Sequence, residues 1–263
     1  MKDKIINEVA DQNELLIWYL GQAGFLLKTA HGKLIAIDLY LSDAAERLFG
    51  FKRMIPAVIK PEDLNVDYYI STHSHVDHLD PDILATVAGC DKTFFIWSPD
   101  CEAVYRQYGI RSDRYCILKT GDCYESADLT VRAVYADHGD LAPDAVGVLV
   151  ETNGIKVFHT GDTAYAPEKI VESLQTDIDV LMAPINAQFG NMNAFEACRL
   201  ADVLKPKIVI ACHFWMFLEH VGEGGCGDPA TFLREAALLP KPVTPLVMAT
   251  GEMFKYQKLI INH

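Results

Sequence analysis

Three histidines and one aspartate fall within six residues in Thr72-His73-Ser74-His75-Val76-Asp77-His78. Imidazole binds a metal through either ring nitrogen, and carboxylate is a harder oxygen ligand. In an extended loop His73 and His75 point the same way, two residues apart. A turn after Val76 brings Asp77 and His78 to a second metal beside the first. The alternative is a surface histidine cluster with no ligand. Histidine is scarce, nine in 263 residues, and this loop directly follows an apolar strand, where sites in α/β folds usually lie. The pattern therefore predicts a binuclear metal site.

Four close residues cannot fill two coordination shells, so further ligands must come from later in the chain. His138 lies in Ala136-Asp137-His138-Gly139-Asp140, where Asp137 or Asp140 is the alternative ligand. Asp162 lies in His159-Thr160-Gly161-Asp162-Thr163, where an aspartate also suits a turn or a helix cap. His213 lies in Ala211-Cys212-His213-Phe214, where a satisfied core histidine is the alternative. Each follows an apolar strand, so four strand-end loops could converge on one edge. His159 is read as a core residue or a support behind the ligands. His220, in a Gly-rich loop near His213, could reach the same pocket.

The elements that must position these loops follow from periodicity and punctuation. Strands are predicted at Leu15–Leu20, Phe25–Lys28, Leu34–Asp38 and Val66–Ser71. Asp80-Pro81 opens a helix to about Gly89. Next come a strand Thr93–Trp97, a helix Asp100–Tyr108 closed by Gly109, and strands Tyr115–Leu118, Leu129–Tyr135 and Val146–Glu151. Asn153-Gly154 turns the last of these into Ile155–His159. A helix at Pro167–Leu174, a strand Val180–Ala183 and a helix Ala194–Leu204 follow, the last opened by a capping-box pair, Asn193 and Glu196. The chain ends with strand Ile208–Ala211, helix Pro229–Ala237 and a short strand near Leu246–Val247. Strands and hairpins outnumber parallel crossovers, so a β-sandwich with helices outside fits better than a doubly wound sheet. No stretch has linker composition, which predicts one domain over 1–263.

Composition bounds the partners. There are 23 Lys+Arg against 36 Asp+Glu, a formal charge of −13, with half the residues hydrophobic. That excludes a disordered chain, and with no basic block it argues against nucleic-acid binding. Seven scattered cysteines without a C-x-x-C pair read as reduced structural thiols of a cytoplasmic protein. The N-terminus is a poor signal peptide, and no apolar stretch approaches the ~20 residues that span a membrane. A small-molecule substrate is expected, and a homo-oligomer is compatible with the sequence.

From about residue 15 to about 250 the chain resembles the metallo-β-lactamase superfamily. The resemblance implies an α+β fold, an αββα four-layer sandwich of two mixed β-sheets flanked by helices, with the metals at its rim. It implies that His73, His75 and His138 hold one metal, that Asp77, His78 and His213 hold the other, and that Asp162 bridges them. Leu20-Gly21-Gln22-Ala23-Gly24-Phe25, the run 72–81, His159–Tyr165, Cys212–Phe217 and Gly227-Asp228-Pro229 look like the L-ascorbate-6-phosphate lactonase branch. That branch implies manganese or zinc. The expected activity is metal-dependent hydrolysis of a lactone or ester of a small, in some cases phosphorylated, sugar acid. Two divalent ions would share a water and lower its pKa, with Asp77 as the catalytic proton carrier. Asn186, Asn191 and Phe214 are the candidate substrate contacts, with turn chemistry and core packing as their alternatives. Arg111, Arg114 and Lys119 form the nearest thing to a basic cluster. The competing functions are a phosphodiesterase of the same superfamily and a non-catalytic relative that binds a metal-held ligand.

Overall fold

Alternation of apolar side chains builds the layers. A computed structural model describes residues 1–223, 226–241 and 243–259. Strand β1 (Glu14–Gly21) is buried along its whole length, because both its faces are covered. Leu15, Ile17 and Tyr19 face one apolar core, and Leu16, Trp18 and Leu20 face another. A strand buried on both faces must lie between two layers.

The first sheet has the order β14-β1-β2-β3-β4-β5-β6. Its members are β2 (Gly24–Lys28), β3 (Leu34–Ile37), β4 (Tyr68–Ser71), β5 (Phe94–Trp97), β6 (Tyr115–Ile117) and, last in the chain, β14 (Met253–Gln257). The second sheet runs β13-β12-β11-β10-β9-β8-β7. It holds β7 (Cys123–Glu125), β8 (Thr130–Tyr135), β9 (Val146–Thr152), β10 (Ile155–His159), β11 (Val180–Pro184), β12 (Ile208–Cys212) and β13 (Thr244–Leu246). Each sheet is antiparallel on one side and parallel on the other. The changeovers fall at β3 and β10.

The two sheets share the core that contains Ile17, Phe25, Ile70, Val131, Val150 and Phe158. Helices α3 (Pro81–Val87) and α4 (Glu102–Gln107) cover the outer face of the first sheet, with Ile83, Leu84 and Tyr105 packed on Trp18, Tyr69 and Phe95. Helices α5 (Pro167–Leu174), α6 (Ala194–Leu204) and α7 (Pro229–Ala236) cover the second. The fold is the expected four-layer αββα sandwich. The predicted capping box forms: the Asn193 side chain accepts from Glu196 N, and Glu196 caps Asn193 N in return.

Two short α-helices and two short strands were not expected: α1 (Lys2–Asn7), α2 (Ala44–Phe49), β7 and β14. β7 alternates exposed and half-buried residues, and β14 pairs across the chain with β1, so neither carries a local apolar run. All seven cysteines are free. Among the described residues, no helix is long and apolar enough to cross a membrane.

Candidate metal centre

The parallel strands of both sheets present their carboxyl ends to the same rim. The loop after β4 carries His73 to His78, and the loops after β8, β10 and β12 carry His138, Asp162 and His213. Backbone bonds from His78 N and Leu79 N to His75 O, at 2.9 and 2.7 Å, turn the first loop back on itself. This turn sets Asp77 and His78 beside His73.

Two groups of donors result. His73, His75 and His138 have ring nitrogens within one ligand sphere, and Asp77, His78 and His213 form a second. In the first, His73 Nε2 lies 3.0 Å and His138 Nε2 3.3 Å from His75 Nδ1. Tetrahedral ligands at ~2.1 Å from a metal stand about 3.4 Å apart, so this spacing suits a cation. Asp162 lies between the groups. Its Oδ1 is 3.2 Å from His78 Nε2, and its Oδ2 is 3.2 Å from His213 Nε2 and 3.9 Å from His138 Nε2.

Whether a metal fits can be tested on the polar atoms. His78 Nε2 and Asp162 Oδ1 are buried and face each other, yet their alignment makes no hydrogen bond. Buried polar atoms without partners are costly unless another group satisfies them. A divalent ion in each donor group would do so, and a donor set of histidine and carboxylate accepts manganese or zinc.

The ring tautomers point the same way. Asp38 accepts from Thr72 N (2.8 Å), Thr72 Oγ1 (2.6 Å) and His78 Nδ1 (2.9 Å). His78 therefore carries its proton on Nδ1 and aims the Nε2 lone pair at Asp162 and Asp77. Because Thr72 donates to Asp38, it accepts from His73 Nδ1 at 3.0 Å, which leaves His73 Nε2 as a lone pair. Asp38, His73 and His78 also form a third cluster close enough for a metal. Asp38 already accepts three hydrogen bonds, so we read it as the anchor of the ligands.

Electrostatics follow from burial and neighbours. Burial pushes the His73 and His138 imidazoles below their ordinary range, which favours the neutral, ligating form. Burial raises the Asp162 carboxyl, but His213 and His78 beside it outweigh this and hold it well below the usual carboxylate range. Asp77 is lowered in the same way: burial opposes, and His78 and His213 win. His78 is disfavoured by burial, yet Asp162, Asp38 and Asp77 raise it well above the ordinary value.

The other predicted residues are placed as follows. Asn191 Nδ2 donates to Asp162 Oδ2 at 2.7 Å, so it steadies that carboxylate. Asn186 is buried in a narrow recess beside Gln22, His213 and Phe214. Phe214 turns inward and stacks on Tyr19 at 5.8 Å. The chain is left-handed at His213 and Trp215, φ 56° and 51°, so His213 faces the rim and its neighbour faces the core. Both nitrogens of His159 are used: Nε2 donates to Ala23 O at 2.8 Å and Nδ1 accepts from Gly161 N at 3.0 Å. Arg114 is spent on the carbonyls of Ala88, Cys90 and Thr93, and Arg111 pairs with Asp113. Both precede β6, at the edge opposite the rim.

Two residues of the site were not singled out from sequence. Gln22 Nε2 donates to Asp77 Oδ2 at 2.6 Å and lies 3.1 Å from His213 Nε2. Asp38 is the other. Their signals were a polar residue between two glycines and a charge ending an apolar strand. A cavity of about 270 Å³ opens over the donors, with His75, Asp77, His138, Asp162 and His213 among its lining. His220 lines it too, edge-on to Phe51 at 4.9 Å.

Residues 39–214 match the family described as a β-lactamase superfamily domain. A UPF0173 metal-dependent hydrolase of Polynucleobacter asymbioticus is 30% identical over 217 residues, 76% of this chain and 73% of that one. A probable L-ascorbate-6-phosphate lactonase of Salmonella heidelberg is 23% identical over 258 residues, 81% of this chain and 73% of its own. Among solved structures, the metallo hydrolase Igni18 of Ignicoccus hospitalis superimposes with a TM-score of 0.70 at 22% identity, covering 94% of this chain and all of its own. The fold, the rim of histidine and aspartate donors and these likenesses agree: the chain belongs to the metallo-β-lactamase superfamily of metal-dependent hydrolases.

Proposed function

We propose that this protein hydrolyses a carboxylic ester or lactone of a small molecule at a centre of two divalent ions, manganese or zinc. His73, His75 and His138 would hold one ion, Asp77, His78 and His213 the other, and Asp162 would join them. The observation that carries this reading is the position of Asp162, whose two oxygens each lie 3.2 Å from a histidine nitrogen of the second group while one also approaches the first. When bound, such ions supply Lewis acidity and a hydroxide at neutral pH.

The chain's own residues would do the rest. The Gln22 amide donates to Asp77 Oδ2, and His78 and His213 approach the same oxygen. Oδ1 would accept the proton of the attacking water and pass it to the leaving alkoxide. His78 and His213 keep that carboxyl ionised against its burial. Asp38 and Thr72 hold the His78 and His73 rings in the ligating tautomer.

Metal analysis combined with a hydrolase screen tests this. After expression with manganese or zinc, the chain should carry two ions and turn over lactones or esters. Turnover of phosphodiesters alone would replace the reading with a phosphodiesterase. A metal-bound chain that hydrolyses nothing would favour a ligand-binding relative.

A further inference from the structure

The cavity over the donors is walled by rings. Phe49 and Phe51 come from α2 and the residues after it, Phe189 from the loop after β11, and Phe217 from the loop after β12. Leu141 adds an aliphatic side chain from the turn after His138. Phe49, Leu141 and Phe189 are 60%, 53% and 50% exposed. Large apolar groups held at the mouth of a polar centre are costly unless something apolar covers them.

Phe189 is also held there against backbone preference, with φ at 52° between Ala187 at 59° and Gly190 at 84°. A bulky residue in the left-handed region is an outlier that the surrounding structure must enforce. Phe51 links the wall, 6.3 Å from Phe49 and 5.8 Å from Phe217. Among the described lining residues there is no Lys or Arg. A phosphate remote from the scissile bond would be desolvated against phenyl rings with only the His220 imidazole, among the described lining residues, beside them. The volume lies just below the roughly 300–1,000 Å³ of drug-sized ligand sites, so the occupant is small.

We propose that the substrate is a small uncharged ester or lactone with an aryl or alkyl group away from the scissile bond, and that Phe49, Phe51, Phe189 and Phe217 select it. The proposal rests on the hydrolase reading above. In the reaction the acyl C–O bond breaks and a C–O bond to the water oxygen forms. The water's protons end on the alcohol and on the released acid, so no other reactant is needed.

The test uses the metal-loaded full chain with 4-nitrophenyl acetate, 4-nitrophenyl butyrate, γ-octalactone and the polar glucono-δ-lactone. Two added methylenes buried on the rings should raise kcat/KM for butyrate over acetate about tenfold. Octalactone should exceed gluconolactone by more. In a Phe49→Ala/Phe189→Ala double variant the butyrate preference should shrink to about twofold, with metal content unchanged. Benzyl alcohol binding, followed by ligand-observed NMR, should weaken in the same variant. Better turnover of gluconolactone, or an unchanged butyrate preference in the variant, would overturn the apolar class while leaving the hydrolase reading intact. No turnover of any ester or lactone, with metal present, would remove both.

Discussion

Asp38 Oδ2 accepts the Nδ1 proton of His78 at 2.9 Å, and both side chains are fully buried. The bond reaches from the end of β3 to the loop after β4, and it decides which nitrogen of His78 keeps a lone pair for a metal. Asp38 adopts φ 47° to make it, a conformation an aspartate tolerates better than most residues.

Asp38→Ala should therefore weaken metal binding about 10–100-fold, as loss of a histidine's orienting carboxylate typically does. Competition with a chromogenic chelator reads this directly. Unchanged affinity in a folded variant would mean that His78 is oriented by something else.

Asp162→Ala should remove the link between the two donor groups. We expect no more than one ion per chain by elemental analysis, and hydrolysis reduced at least a thousandfold. Two retained ions would contradict a bridging Asp162.

Gly161 has φ +63°, and a Cβ there would meet Val146 O at 2.8 Å and Thr72 Cβ at 3.1 Å. Gly161→Ala should cost about 1–3 kcal/mol of stability and shift the adjoining Asp162. Urea unfolding and kcat should fall together. A variant as stable and active as the parent would show that this turn can relax.

Asp80 caps α3 at Asp82 N and also accepts from Leu41 N, Ser42 N and Ser42 Oγ, at 2.8 to 2.9 Å. It ties the β3–α2 loop to α3. Asp80→Ala loses a cap and strands buried donors, at roughly 2–4 kcal/mol together. Asp80→Asn should recover part of this in the same unfolding measurement.

Metal removal should lower the unfolding midpoint, since a ligand at 100 times its Kd adds about 2.7 kcal/mol. Acid should act similarly. Asp162 has a depressed carboxyl, so its contribution is present above the unfolded value and lost only as pH falls through its lower folded value. Burial holds His73 and His138 below the ordinary imidazole range, so their metal should stay bound where a free histidine protonates and be lost only at lower pH. Elemental analysis after dialysis at falling pH checks it. Loss of the ion already above the ordinary imidazole value would contradict that order.

Much of this was legible because the signals were local. His73 to His78 sit in one run, and Asp162 and His213 each end an apolar strand. Asp38 and Gln22 were not, because their meaning lies in partners 34 to 191 residues away. The aromatic wall was hidden for a related reason. Phe49, Phe51, Phe189 and Phe217 come from three separated segments, and an isolated phenylalanine reads as core. Phe214 and Phe217 are three residues apart, and only the left-handed backbone at His213 and Trp215 sends one inward and the other to the cavity.

The donors are divided between the sheets: His73, His75, Asp77 and His78 leave the first, and His138, Asp162 and His213 leave the second. Neither sheet can assemble the centre alone. During refolding, strands and helices could form in each half while the chain remains inert, and activity would return only when the halves dock in register. Recovered turnover would then lag behind recovered circular dichroism, and the delay would time the meeting of the two sheets.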